Sequence, residues 1–128
     1  MLLEEFPVYA TVAASDIERA KTWYLEKLEL KPKKEVMGSL WYEFSPGTWL
    51  LVYQTSSAGT AQNTQAGWTV KNIESVMSRL RAHGVHFEEY DFGPMKTVDG
   101  LLDVPGMGKS AWFKDSEGNI FEISEPAT

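Results

Sequence analysis

The feature that most limits what this chain can fold into is a pattern that it carries twice. YATVAASDIERAKTWYLEKLEL, residues 9–30, reads as a short strand, a cap at Ser15 or Asp16, and a helix with Ile17, Ala20, Tyr24 and Leu28 at helical spacing. AGWTVKNIESVMSRLRAHGV, residues 66–85, repeats the plan with a strand, an Asn72 cap, Ile73, Val76, Met77 and Leu80, and Gly84 as the stop. Asp16-Ile17-Glu18 overlies Asn72-Ile73-Glu74 at an offset of 56. WYEFSPGTWLLVY overlies WFKDSEGNIFEIS at an offset of 71, pairing Trp41 with Trp112, Gly47 with Gly118 and Val52 with Ile123.

Each copy therefore reads β-α-β-β-β. The expected fold is α+β, with two tandem βαβββ modules forming a cup of curved mixed sheet and the helices outside. At 128 residues this is one domain, able to bury roughly two-thirds of the surface of its unfolded chain. Module 1 runs from about 5 to 54, TSSAGTAQNTQ at 55–65 is the linker, and module 2 runs from about 66 to 126. The second copy has gained about one loop, placed in the Gly- and Pro-rich GPMKTVDGLLDVPGMG at 93–108 and read as a mobile flap.

Strand alternation separates two faces. Val8, Ala10, Val12 and Ala14, with Leu50, Val52, Trp68, Val70, Phe121 and Ile123, form an apolar set that packs on the helices. The opposite parity carries Tyr9, Thr11 and Ala13; Trp49, Leu51 and Tyr53; Gln65, Gly67 and Thr69; and Ile120, Glu122 and Ser124. That mixed aromatic and polar set suits the lining of a ligand cavity, with Met95, Leu101, Leu102 and Met107 of the flap above it. Glu122 is the oddity, a carboxylate set between Phe121 and Ile123 in DSEGNIFEI.

Several chemistries are excluded. The net charge is −6 and no basic run gathers enough potential for a phosphate backbone, so nucleic acid is not a partner. Without cysteine there are no disulfides, thiolate zinc ligands or thiol nucleophiles. The start has no basic n-region or apolar h-region and no stretch reaches 18 apolar residues, which points to a soluble cytoplasmic protein with no membrane partner. The cavity-facing set assembles no Ser-His-Asp triad, and no Gly-rich phosphate loop opens a helix. His83 and His86, on either side of Gly84, read as surface residues at a helix end.

SDIERAKTWYLEKLEL in the first unit and AWFKDSEGNIFEISEP in the second make the chain resemble, over essentially its whole length, the vicinal oxygen chelate superfamily, the glyoxalase/bleomycin-resistance/dioxygenase proteins. The resemblance implies four metal-ligand positions, carried here by Tyr9, Leu51, Gln65 and Glu122. Only Glu122 is a strong donor, and a catalytic divalent ion needs three or more. No cofactor is therefore expected. The function expected is binding of an aromatic or cationic small organic molecule in an apolar cup, through Tyr9, Trp49, Leu51, Tyr53, Gln65, Met95, Met107 and Glu122. The resemblance implies a homodimer. The alternative is a lyase, isomerase or dioxygenase, metal-free or metal-dependent, with Glu122 as acid and base and Tyr9 polarising a carbonyl.

Overall fold

Helices and strands form where the two periodicities run. The computed structural model describes residues 2–127 and carries, in chain order, β1 (Ala10–Ala14), α1 (Ile17–Leu28), β2 (Lys34–Val36), β3 (Ser39–Glu43), β4 (Trp49–Gln54), β5 (Thr64–Thr69), α2 (Ile73–Ala82), β6 (Leu102–Val104), β7 (Gly108–Lys114) and β8 (Ile120–Pro126). The repeat is real in three dimensions. One sheet has the strand order β1-β4-β3-β2 and the other β5-β8-β7-β6, each with one parallel pair and two antiparallel ones. Trp41 pairs with Leu51 in the first sheet as Trp112 pairs with Glu122 in the second. β1 and β5 lie side by side, yet the sheets remain separate four-stranded ladders and do not close.

One face of each sheet is buried, as the alternation requires. Val12, Ala14, Leu40, Tyr42, Leu50 and Val52 from the first sheet join Ala111, Phe113, Phe121 and Ile123 from the second, with Ala20, Tyr24, Ile73 and Met77 of the helices, in one continuous core. Tyr24 shows why the core is common to both modules. Its ring stands 5.2 Å from Tyr42 on β3 and 6.2 Å from Phe121 on β8. Val8, expected in this set, is 86% exposed because β1 begins only at Ala10.

Three expectations need correction. Asp16 caps α1, its Oδ1 accepting from the Arg19 N–H at 3.0 Å, but the Asn72 side chain makes no cap bond to α2. Its φ of 55° puts the backbone in the left-handed region, and Glu125 of β8 accepts from the Ile73 N–H instead, at 2.9 Å. The linker ends at residue 63, since Thr64 and Gln65 already belong to β5. The 93–108 stretch is not one flap. Leu102–Val104 pair with β7 as the edge strand of the sheet and the module's counterpart of β2, which engages the backbone groups that face β7. The added residues lie in the 83–101 connection, where the Glu89 carboxylate accepts from Thr97 Oγ1 at 2.6 Å and from the Gly100 N–H at 3.0 Å.

The turn between β7 and β8, DSEGN, fastens module 2 to module 1. Asp115 accepts four hydrogen bonds, from Tyr24 Oη at 2.7 Å, from Asn119 Nδ2 at 2.8 Å, and from the N–H groups of Glu117 and Asn119 at 2.8 and 2.9 Å. Asn119 Nδ2 also donates to the carbonyl of Ala13 in β1 at 2.8 Å. Glu117, its side chain fully buried, accepts from the N–H groups of Ser15 and Asp16, both at 3.0 Å, from the Ser15 and Ser116 hydroxyls, and from Arg19 Nε at 2.8 Å. Gly118 has φ +86°, and a Cβ there would meet Gly59 Cα of the linker at 2.9 Å, so no other residue fits the turn unstrained.

The hydrogen bond from Arg19 is the largest influence holding the Glu117 carboxyl down at about 2, from an ordinary 4.5. A depressed carboxyl stabilises the fold above its unfolded value, and that stability is lost as pH falls from about 4.5 towards 2. Allowing for screening around the half-exposed Arg19, the contribution at neutral pH is roughly 2 to 3 kcal/mol. Glu117→Gln should lower Tm and flatten the acid limb of a stability profile measured by denaturant unfolding between pH 2 and 5. Tyr24→Phe, which strips one donor from buried Asp115, should cost about 1 to 2 kcal/mol.

Candidate functional site

Covering one face of each sheet leaves the other face free, and the aromatic residues there form two patches. On the first sheet the Tyr9 and Trp41 rings lie 5.0 Å apart and the Trp41 and Trp49 rings 6.2 Å apart in an edge-on arrangement. Leu51 sits opposite Trp41 on the neighbouring strand, and Tyr53 follows on the same face of β4, 40% exposed. Lys34 of β2 holds its ammonium over both indoles, 5.3 Å from Trp41 and 5.4 Å from Trp49. The patch thus already attracts a cation of the chain's own.

The second patch gathers Trp112 of β7 with Tyr90 and Phe92 of the long connection, at ring distances of 5.5, 5.6 and 6.3 Å. Trp112 is oriented by its indole N–H, which donates to Thr64 Oγ1 at 3.1 Å. Burial raises the Tyr90 phenol above its ordinary value, and Glu88 adds to the shift. Glu122 pairs with Trp112 across the ladder and is half-buried. Among the described residues its carboxylate accepts no hydrogen bond and forms no ion pair. Gly67 lies against it, since a Cβ at that position would meet the Glu122 carbonyl oxygen at 3.1 Å and its Cβ at 3.6 Å. The missing side chain at Gly67 leaves the approach to Glu122 open on that flank.

The expected site residues therefore divide between the sheets. Tyr9, Trp49, Leu51 and Tyr53 share the free face of the first, while Gln65 and Glu122 belong to the second. No ring pair or hydrogen bond among the described residues joins the two sets. Met95 and Met107 come together farther along the second sheet, where with Leu102, Val104, Ser110 and Ser124 they line an open cavity of about 450 Å³. Ile120, expected on this face, is buried. The ligand-binding set expected from the sequence lacks Lys34, Trp41, Tyr90, Phe92 and Trp112. Trp41 and Trp112 were legible, because the repeat aligns them and each shares the parity of its free-face partner. Tyr90 and Phe92 were not, as they lie in a connection without strand periodicity.

The four positions that the resemblance equates with metal ligands do not fit a divalent ion. Leu51 has no donor atom. Gln65 Oε1 is engaged, accepting from the Ile120 N–H at 3.2 Å. Tyr9 stands on the first sheet in ring contact with Trp41. Among the described residues no three His, Asp or Glu side chains are grouped to hold an ion. Protein stripped with chelator should therefore show an unchanged Tm when zinc, manganese, nickel or ferrous iron is added, because an ion held tightly by the native state would raise it.

Residues 7–123 match the family described as the Glyoxalase/Bleomycin resistance protein/Dioxygenase superfamily. Among solved structures, the chain is similar to TnmS3, an antibiotic binding protein from Streptomyces sp. CB03234, at 21% identity and a TM-score of 0.71, covering 99% of each chain. It is similar to a glyoxalase/bleomycin resistance protein from Catenulispora acidiphila DSM 44928, at 16% identity and a TM-score of 0.71, over 95% of this chain and 99% of that one. The fosfomycin resistance protein FosX from Listeria monocytogenes, complexed with Mn(II) and sulfate, is similar at 14% identity and a TM-score of 0.66, over 94% of this chain and 89% of that one. No curated protein sequence matches.

Proposed function

Since the chain belongs to the Glyoxalase/Bleomycin resistance protein/Dioxygenase superfamily, we propose that it binds an aromatic or cationic small organic molecule on the free faces of its sheets, without a metal and without transforming it. The observation that carries this reading is the presence of two partly exposed aromatic patches together with Glu122, a carboxylate that has no partner among the described residues. Indole and phenol faces offer stacking area that needs no catalyst, and each such contact contributes about 0.5 to 2 kcal/mol. Glu122 then recognises a positive or hydrogen-bond-donating part of the ligand. The description of TnmS3 as an antibiotic binding protein supports a ligand of this general class.

The same reading has the protein act as a homodimer. Each patch is open, and the two lie on different sheets, so a second copy that sets its second sheet against the first sheet of its partner encloses both. Small exposed apolar side chains are common, but Tyr9 and Tyr53 are large and at least 40% exposed on one such face. A cytoplasmic location is part of the proposal and is compatible with a chain that has no cysteine.

Acridine orange, a planar cation, should quench the tryptophan fluorescence saturably. Trp49→Ala should weaken its binding roughly five- to thirtyfold, and Glu122→Gln about fivefold. An uncharged aromatic of the same size should respond to Trp49→Ala and ignore Glu122→Gln. Sedimentation equilibrium should return twice the 14.4 kDa mass of the chain. No saturable change with any planar aromatic, or turnover that Glu122→Gln abolishes while binding survives, contradicts the proposal.

A further inference from the structure

A second opening lies on the helix side of the protein, away from both aromatic patches. The last turn of α1, the following Leu30, and the outer turns of α2 do not fully cover the buried face of the second sheet. They leave a cavity of about 510 Å³, within the range of small-molecule sites. Its floor is aromatic, with Trp68 edge-on to Phe44 at 5.5 Å and stacked on Phe113 at 6.3 Å. Leu28, Val76 and Leu80 form its walls, and the same three residues, with Arg79, pass into an adjoining hollow of about 220 Å³. The two spaces make one cleft.

Charge gives the cleft a direction. Its mouth carries Lys27, Glu29, Arg79 and His83. Glu29 is engaged by His83 Nε2 at 2.6 Å, and the other ring nitrogen of His83 meets the Arg79 carbonyl at 3.0 Å. Among the described residues neither Lys27 nor Arg79 has a carboxylate within ion-pair distance, although the chain has eighteen Asp and Glu against twelve Lys and Arg. Two free cations beside the mouth of an apolar cleft, on a protein of net charge −6, favour an anion there over any other charge type. Arg79 can also grip a carboxylate with two parallel N–H donors.

We infer that this cleft is a second binding site, for an amphiphilic monocarboxylate whose apolar body lies on Trp68 and Phe113 and whose head sits between Lys27 and Arg79. It goes beyond the binding proposed for the sheet faces, and it selects the opposite ligand charge. The cleft is also separate in structure, since its walls come from the helices and the buried sheet face.

The test is calorimetric titration with dodecanoate, held below the concentration at which it forms micelles, against dodecanol and dodecyltrimethylammonium. Dodecanoate should bind at one site per chain, and the ammonium should be weaker by roughly tenfold or more. Leu80→Trp, which fills the cleft, should abolish binding. The double variant Lys27→Glu with Arg79→Glu should weaken dodecanoate about tenfold while leaving dodecanol unchanged. Absence of dodecanoate binding, equal binding of the ammonium, or full binding by the charge-reversed variant overturns the inference. Should Leu80→Trp fail to fold, as judged by its thermal melt, the charge-reversed variant decides alone. If wild-type protein binds no dodecanoate and Leu80→Trp changes the sedimenting mass, the cleft is a contact between protein chains and the inference fails.

Discussion

The Glu117 carboxylate is the point on which the rest of the molecule hangs. It belongs to module 2 and is satisfied almost entirely by module 1, through two backbone N–H groups at the start of α1 and the Arg19 guanidinium. A buried charge without those donors would be costly, so the turn that carries Glu117 can sit in only one place. Asp115 repeats the device two residues earlier by binding the Tyr24 hydroxyl in the middle of α1. Burial, reinforced by Asp115, pushes the Tyr24 phenol well above its ordinary value, which keeps it a donor at any physiological pH.

Fixing one turn against one helix has consequences for the whole architecture. It draws the apolar faces of both sheets onto the same pair of helices and makes a single core of two half-domains too small to be stable separately. With one face of each sheet so committed, the other is left uncovered, and the chain places its tryptophans there selectively. Trp68 alone of the strand tryptophans packs into the core region, while Trp41, Trp49 and Trp112 lie on the free faces. Binding surfaces of this kind follow from where the core is not.

Much of this was legible in the sequence, and the reason is the repeat. An offset of 71 between the hairpins predicts the equivalence of β3 with β7 and of β4 with β8, and both pairs align without a gap. Period-2 alternation correctly assigned Val12, Leu50, Val52, Phe121 and Ile123 to the core. What escaped was long-range and polar. Glu117 lies in the short polar stretch DSEGN, where nothing local shows that its partners lie about a hundred residues away. The same holds for Glu125 at the start of α2, where Asn72 had the composition of a cap and the wrong backbone geometry. Glycine and proline around Leu102–Val104 concealed a short strand. The division of the expected lining between two sheets was hidden too, since alternation tells which face a residue occupies and not which other face it meets.

Crystals grown from protein purified out of cell extract, with no ligand added, offer the most direct examination of the free faces. Electron density for an organic molecule stacked on Trp41 and Trp49 or on Trp112, with Glu122 directed at its polar part, is the result predicted. A cation coordinated by Glu122 together with other protein donors, or free faces packed solid by their own indoles, would contradict it.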